Sequence, residues 1–383
     1  MKFFALATLI PLVTLITYLL LPPQIPLSPT SLISPLQNRD TAKRDYVVLG
    51  FAPYWNLKKL APESFDPLTH FAYFAVHLTS SGDVYTHANR REQDPGYTNY
   101  QRLLRDELAV PNKPLILTFM PADQDALTAI LTSQTARQNT VSTITQAVTD
   151  SGAGGVNIDF EPLGDIDSSL RDSFTQFIRD LRSELSTLQT FKLLTISIYP
   201  SAAARPRIWN LAALAPLADY LVVMTYDYTM PITDNAGPNS PLRDTGGTFE
   251  HNIVKNISEI SSLVDSRKLL LGIPFYGYEW DTVDETKYAP TIGRGVTASF
   301  ERIQQMLDSQ TLSLLWDRNS LTAYGVATTA GQSSQIYFDN ETSLRLKLDF
   351  VRDANLGGIA IWALGYDNNV PWLWPTIATL NQK

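Results

Sequence analysis

The chain has 383 residues, 44% of them hydrophobic and 18% charged, enough for one large domain or two ordinary ones around an ample core. Its net charge of −8 argues against nucleic acid as a partner, because phosphates would be repelled. With no cysteine there is no disulfide framework, no thiol nucleophile and no thiolate-held zinc.

The first residues carry targeting information. Lys2 is followed by an uncharged run from Phe3 to Leu21 and then by Pro22 and Pro23. That length approaches the roughly 20 residues a membrane-crossing helix needs. A cleavable signal has a shorter apolar region and a small-x-small exit, whereas this run leaves through Leu-Leu-Pro-Pro. An uncleaved signal-anchor over residues 1–22 is therefore favoured over a cleaved signal peptide. Either form places the body outside the cytoplasm, membrane-anchored by the N-terminal helix or secreted. Residues 23–45, rich in Pro and Ser, read as a semi-rigid linker.

From residue 46 to 383 short β-branched or aromatic runs alternate with helical patterns. Strands are expected at 46–52, 70–76, 115–119, 155–161, 193–198, 220–225, 269–273 and 358–363. A helix at 165–188 places Phe174, Phe177, Ile178, Leu181 and Leu185 on one stripe. Ile253, Ile257, Ile260 and Leu263 form a similar stripe before the seventh strand. Eight strands alternating with helices predict an α/β fold, a (β/α)8 barrel of the TIM type. A doubly wound open sheet is the alternative, disfavoured because no Gly-rich phosphate loop follows the first strand. Residues 278–335 break the rhythm and read as a small α+β insertion between the seventh and eighth strands, with one short helix at 299–308.

The fourth strand is the most informative. Its alternation sets Asn157, Asp159 and Glu161 on one face and Val156, Ile158 and Phe160 on the other. Two carboxylates and an amide on a buried face are costly unless they do chemistry or are well paired. Active sites of such barrels lie at the C-terminal strand ends, so Glu161 reaches the mouth with Asp159 one layer below. Carboxylates on one side cannot flank a glycosidic bond, as a conventional two-carboxylate glycosidase requires. They suit a reaction in which one carboxyl donates the proton and the other positions a nucleophile carried by the substrate. A divalent cation held by Asp159 and Glu161 is the competing reading; it needs a third oxygen ligand, for which Asp123 is a candidate.

Aromatic residues crowd the predicted strand ends. Tyr54 and Trp55 follow the first strand, Tyr226 and Tyr228 the sixth, Phe275, Tyr276 and Trp280 the seventh, and Trp362 lies in the eighth. Each alone would read as core packing. Together they suggest a polysaccharide cleft, since rings stack on the apolar faces of sugars.

These residues resemble glycoside hydrolase family 18, the chitinase family. The family's fourth-strand motif DxxDxDxE aligns with Gly154 through Glu161. Met224-Thr225-Tyr226-Asp227 resembles its Met-x-Tyr-Asp, and Gly272-Ile273-Pro274-Phe275-Tyr276-Gly277 is a further match. The segment 336–340 with Ser343, and Gly357 through Trp362, complete the order. The Gly-Val-Asn-Ile-Asp-Phe-Glu form is similar to a bacterial branch of spore-cortex and cell-wall N-acetylglucosaminidases. The resemblance implies a retaining, substrate-assisted hydrolysis of β-1,4-linked N-acetylglucosamine polymers, chitin or peptidoglycan glycan strands, with no metal or organic cofactor. It implies Glu161 as general acid and base, Asp159 as the group orienting the substrate's 2-acetamido arm, and Tyr226 as donor to the acetamide oxygen. It further implies Trp362 as the floor beneath the reacting sugar and Asp227 as a ligand of its hydroxyls. Met224, Tyr54, Trp55, Tyr276 and Trp280 join them as expected substrate contacts. Gly154 and Asn157 depart from the motif by replacing two aspartates. The expectation for Asn157, which cannot titrate, is that it leaves Asp159 ionised to lower pH than an aspartate there would. A non-catalytic sugar-binding member and a membrane-tethered scaffold are the other classes to distinguish.

Overall fold

The computed structural model describes residues 45–61, 65–164 and 166–382. The expected signal-anchor and nearly all of the expected linker therefore lie outside the described residues. Among the described residues no helix is long and apolar enough to cross a membrane.

Seven parallel strands come first: β1 (Val47–Pro53), β2 (His70–Leu78), β3 (Leu115–Pro121), β4 (Gly155–Ile158), β5 (Leu193–Ile198), β6 (Tyr220–Val223) and β7 (Leu269–Pro274). An excursion follows, carrying β8 (Tyr276–Thr282), β9 (Thr291–Ser299), β10 (Ser313–Asp317), β11 (Thr322–Thr329) and β12 (Gln332–Phe338). The chain then returns as β13 (Gly358–Trp362), which pairs in parallel with both β1 and β7 and closes the barrel. The (β/α)8 barrel read from the sequence is the architecture present.

Helices α1 (Pro95–Leu104), α2 (Gln124–Thr132), α3 (Gln134–Ser151), α4 (Ser168–Leu185), α5 (Leu211–Leu214) and α6 (Ile253–Ser261) connect the strands. Helix α7 (Phe300–Asp308) belongs to the excursion, and α8 (Glu341–Asp353) and α9 (Leu373–Ala378) flank β13. The expected stripe of α4 is buried throughout, and Phe160, just past β4, packs its ring on Phe174 and Phe177 at 5.9 and 5.4 Å. That contact places the apolar side of the fourth segment outward, against the helix layer, and leaves its polar side for the barrel interior. Helix α4 is shorter than expected because Asp167 caps it, accepting from the Ser169 N–H at 2.8 Å. Leu263 falls beyond the end of α6 and is exposed, unlike Ile253, Ile257 and Ile260.

The insertion is an antiparallel sheet of order β10-β11-β12-β8-β9 with α7. It is wider than the expected 278–335, because β8 starts one residue after β7 ends and β12 runs on to Phe338. Its buried face carries Tyr278, Trp280, Tyr324, Val326 and Tyr337. One glycine is demanded by contact: a Cβ at Gly272 on β7 would sit 2.6 Å from the Val223 carbonyl and 3.0 Å from the Tyr226 ring.

Candidate active site

The C-terminal ends of the barrel strands open into a cavity of about 160 Å³. Asp159, Glu161, Ser197, Tyr226 and Asp227 supply its polar wall; Phe51, Phe74, Val222, Met224 and Trp362 supply the rest. The structure thus brings together Asp159, Glu161, Tyr226, Asp227, Met224 and Trp362, with Asn157 directly below.

β4 ends at Ile158, earlier than the expected Glu161, although the Asp159 N–H still bonds the Phe119 carbonyl at 3.0 Å. Asp159 and Glu161 stand on the chain as it leaves the sheet. Their carboxyl groups hydrogen-bond each other. Register explains what surrounds them. Asn157 lies opposite Thr195 on β5, so two further steps along both chains bring Asp159 to Ser197 and Glu161 to Tyr199. Those are the contacts made: Ser197 hydrogen-bonds Asp159, and Tyr199 hydrogen-bonds Glu161. The sequence held a signal for both, because Thr195, Ser197 and Tyr199 alternate with apolar residues as Asn157, Asp159 and Glu161 do.

Asn157 anchors a short polar chain beneath Asp159. Its Oδ1 accepts from the Thr195 hydroxyl at 2.8 Å, and its Nδ2 donates to Ser197 Oγ at 3.1 Å. Ser197 Oγ also lies 3.4 Å from Asn157 Oδ1, and it hydrogen-bonds Asp159 above. That bond lowers the Asp159 pKa, but burial and the nearby Glu161 charge outweigh it and hold the carboxyl well above its usual value. Glu161 is raised as well, first by burial and then by Asp227, against the hydrogen bond from Tyr199. Two such carboxyls on one side of a pocket titrate as a pair rather than independently. Asn157→Asp would add a like charge below the pair. The expected result is an acidic limb of kcat/KM moved upward by about one pH unit, because Asp159 then loses its charge at higher pH. A pH–rate profile checks this, and an unmoved acidic limb would refute the like-charge argument.

Across the cavity, burial and the Asp159, Glu161 and Asp227 charges raise the Tyr226 pKa well above its usual value, so its hydroxyl remains a donor. Asp227 is held in a left-handed conformation, φ 60°, by Asn239, whose Oδ1 accepts from the Asp227 N–H at 2.9 Å. Tyr276 and Tyr278, the latter at 2.9 Å, both donate to Asp227 Oδ1. Tyr276 is therefore a buried support of Asp227, not an open stacking platform. Burial still dominates, and the Asp227 pKa is raised.

Trp362 packs edge-to-face on Phe74 at 4.6 Å and lies beside Phe51 at 6.2 Å, forming the apolar floor. Trp55 stands 49% exposed at the mouth, 6.2 Å from Trp362, with Tyr54 beside it. Trp280 departs from expectation. It is 1% exposed in the insertion core and donates its Nε1 to the Pro231 carbonyl at 3.1 Å. It shares a face of β8 with Tyr276 and Tyr278, but lies four and two residues further along the strand, away from the mouth. Asp123, the candidate third metal ligand, caps α2 by accepting from the Ala126 N–H at 2.8 Å, and among the described residues no group of three His, Cys, Asp or Glu could hold a metal ion.

Comparisons with known proteins agree with this geometry. The chain is 26% identical over 315 residues to YdhD of Bacillus subtilis (strain 168), provisionally named a sporulation-specific glycosylase; the match covers 81% of this chain and 69% of that one. It is 25% identical over 226 residues to di-N-acetylchitobiase of Homo sapiens, covering 54% of this chain and 57% of that protein. A chitinase from Cycas revoluta, solved in complex with (GlcNAc)4, shares the fold with a TM-score of 0.71 at 19% identity, over 87% of this chain and 99% of that one. The profile of glycosyl hydrolases family 18 matches residues 37–367. The barrel, the Asp159–Glu161 pair and that match lead to one conclusion: the chain belongs to glycosyl hydrolase family 18, and it is a glycosidase.

Proposed function

We propose that the chain hydrolyses β-1,4 linkages of N-acetylglucosamine-containing polymers, outside the cytoplasm, by a retaining and substrate-assisted route. The observation that carries this reading is that Asp159 and Glu161 hydrogen-bond on one side of the cavity, with Trp362 as floor and Tyr226 opposite. Carboxyls in mutual contact cannot stand on opposite faces of a sugar, so the second nucleophile has to come with the substrate. The 2-acetamido group supplies it. Its N–H donates to Asp159, and its carbonyl oxygen, steadied by Tyr226, attacks the anomeric carbon. Glu161 protonates the departing glycosidic oxygen and then, as base, activates the water that opens the oxazolinium-like intermediate. Asp227 binds hydroxyls of the sugar above Trp362.

The (GlcNAc)4 bound by the Cycas revoluta chitinase and the name of the human chitobiase support an N-acetylglucosamine polymer as substrate. The Gly-Val-Asn-Ile-Asp-Phe-Glu form of the fourth strand, similar to that of cell-wall N-acetylglucosaminidases, supports peptidoglycan glycan strands as the alternative form of that polymer. The uncharged run from Phe3 to Leu21 supports the location and a membrane anchorage. The test is an assay of the purified protein on chitooligosaccharides and on N-acetylated peptidoglycan, with product anomers followed by NMR. Release of the β-anomer first is expected. Inverted product would sink the mechanism, and sugar binding without turnover would instead identify a lectin.

A further inference from the structure

A row of rings leaves the cavity floor and ends on an ionisable pair that the reaction above does not use. Trp362 neighbours Trp55 at 6.2 Å, Trp55 neighbours Tyr54 at 4.9 Å, and Tyr54 neighbours His77 at 6.0 Å, each pair edge-to-face. Adjacent strands build it: Tyr54 and Trp55 follow β1, His77 is near the end of β2, and the Tyr54 N–H bonds the Phe74 carbonyl at 2.7 Å. Each step is comparable to the length of one pyranose unit, and rings of this kind are what sugar faces stack on.

His77 is oriented at the end of the row. Its Nδ1 lies 3.0 and 3.1 Å from the two oxygens of Asp94, which itself accepts from the Tyr97 N–H at 2.8 Å at the start of α1. A carboxylate can only accept, so Nδ1 carries a proton. Nε2 bonds no protein group among the described residues, and it is not buried. The His77 side chain is 16% exposed, shielded enough for its hydrogen bond to count and open enough to be reached. A pair serving only to pin the 79–94 segment would not need a free, oriented nitrogen at the head of an aromatic row.

We propose that His77, held by Asp94, is a specificity-determining residue of a distal subsite, where Nε2 hydrogen-bonds a hydroxyl of a neutral glycan unit lying beyond the sugar over Trp362. A hydroxyl both donates and accepts, so it pairs with Nε2 whether or not that nitrogen bears a proton. This rests on the glycan-hydrolase reading above.

The experiment compares wild type with His77→Phe, which retains a ring against Tyr54 and removes Nε2, on N-acetylglucosamine oligomers from two to six units. One net hydrogen bond is worth about 0.5–1.5 kcal/mol, roughly 2- to 12-fold. The expected result is kcat/KM lowered by about that factor for the longer oligomers, through KM, with the shortest cleaved substrate unaffected. Trp55→Ala should flatten the same length dependence, and His77→Gln, which keeps a hydrogen-bonding group, should restore part of it. An unchanged length dependence in His77→Phe, with normal thermal stability, overturns the proposal and leaves the glycosidase assignment intact. A loss equal at every length also overturns it, marking His77 as purely structural. Absence of turnover by wild type on every oligomer would instead remove the substrate reading on which it rests.

Discussion

Glu161→Gln is expected to lower kcat on an N-acetylglucosamine oligomer by at least about 10²- to 10⁴-fold, the worth of a positioned general acid and base, while oligomer binding survives. The amide has the shape of the carboxyl and still receives the Tyr199 hydroxyl, but it cannot hand a proton to the leaving oxygen or take one from water. The same substitution yields a stability readout whose sign is fixed by the raised pKa. Burial makes the folded protein hold the Glu161 proton more tightly than the unfolded chain does. The native state is therefore favoured below the unfolded carboxylate value and loses that advantage as pH rises through the raised one. A glutamine side chain does not titrate. The variant should match wild type in acid and melt at a higher temperature once the pH exceeds the raised value. Thermal melts across pH, beside the kinetics, check both halves. Near-normal turnover would remove Glu161 from its role; a variant less stable than wild type at alkaline pH would show that burial is not what raises its pKa.

The barrel was legible in the sequence because parallel strands, covered on both faces, read as apolar runs separated by helical stripes. β5 is nearly such a run, and α4 shows its stripe residue by residue. The polar face of Asn157, Asp159 and Glu161 was equally plain, since alternation is local information. What lay beyond local reading was which neighbour each polar group meets. Ser197 and Tyr199 become partners of the two carboxyls only through the β4–β5 register, which depends on how both strands sit in a closed barrel. Trp280 escapes local reading for a related reason. Proximity in sequence to the seventh strand end suggests the cleft, but the run of β8 away from the barrel carries the ring into the core of a second sheet. Tyr276 sits where the sequence places it and serves a different role. An aromatic ring at a strand end can stack on a ligand or brace a carboxylate, and only its contact with Asp227 decides.

The second large effect lies behind the cavity. Lys347 on α8 and Asp339, just past β12, form an ion pair with side chains 0% and 1% exposed, and Asp339 Oδ1 has no hydrogen-bond partner. Burial lowers the Lys347 pKa despite the attraction of Asp339, and the desolvation of such a buried pair commonly offsets its Coulombic gain. Its position suggests what is gained. Lys347 Nζ donates to Ser240 Oγ at 2.7 Å, and Ser240 donates to the Thr225 carbonyl at 2.5 Å, one residue before Tyr226. The return from the insertion is thereby tied to the segment bearing Tyr226 and Asp227. Lys347→Met leaves a buried carboxylate without its counter-charge and should destabilise by about 3–5 kcal/mol, with a melting temperature lower by roughly 5–15 °C. Adding Asp339→Leu removes that stranded charge, and the double variant should recover most of the loss or exceed wild type, since buried pairs replaced by apolar residues of similar volume are often neutral or stabilising. Denaturant melts of the two single variants and the double variant form a cycle with a clear reading. Single variants that each cost less than about 1 kcal/mol would mean that water reaches the pair and screens it. A double variant no more stable than Lys347→Met would mean instead that the Ser240 contact, rather than the unpaired charge, sets the cost.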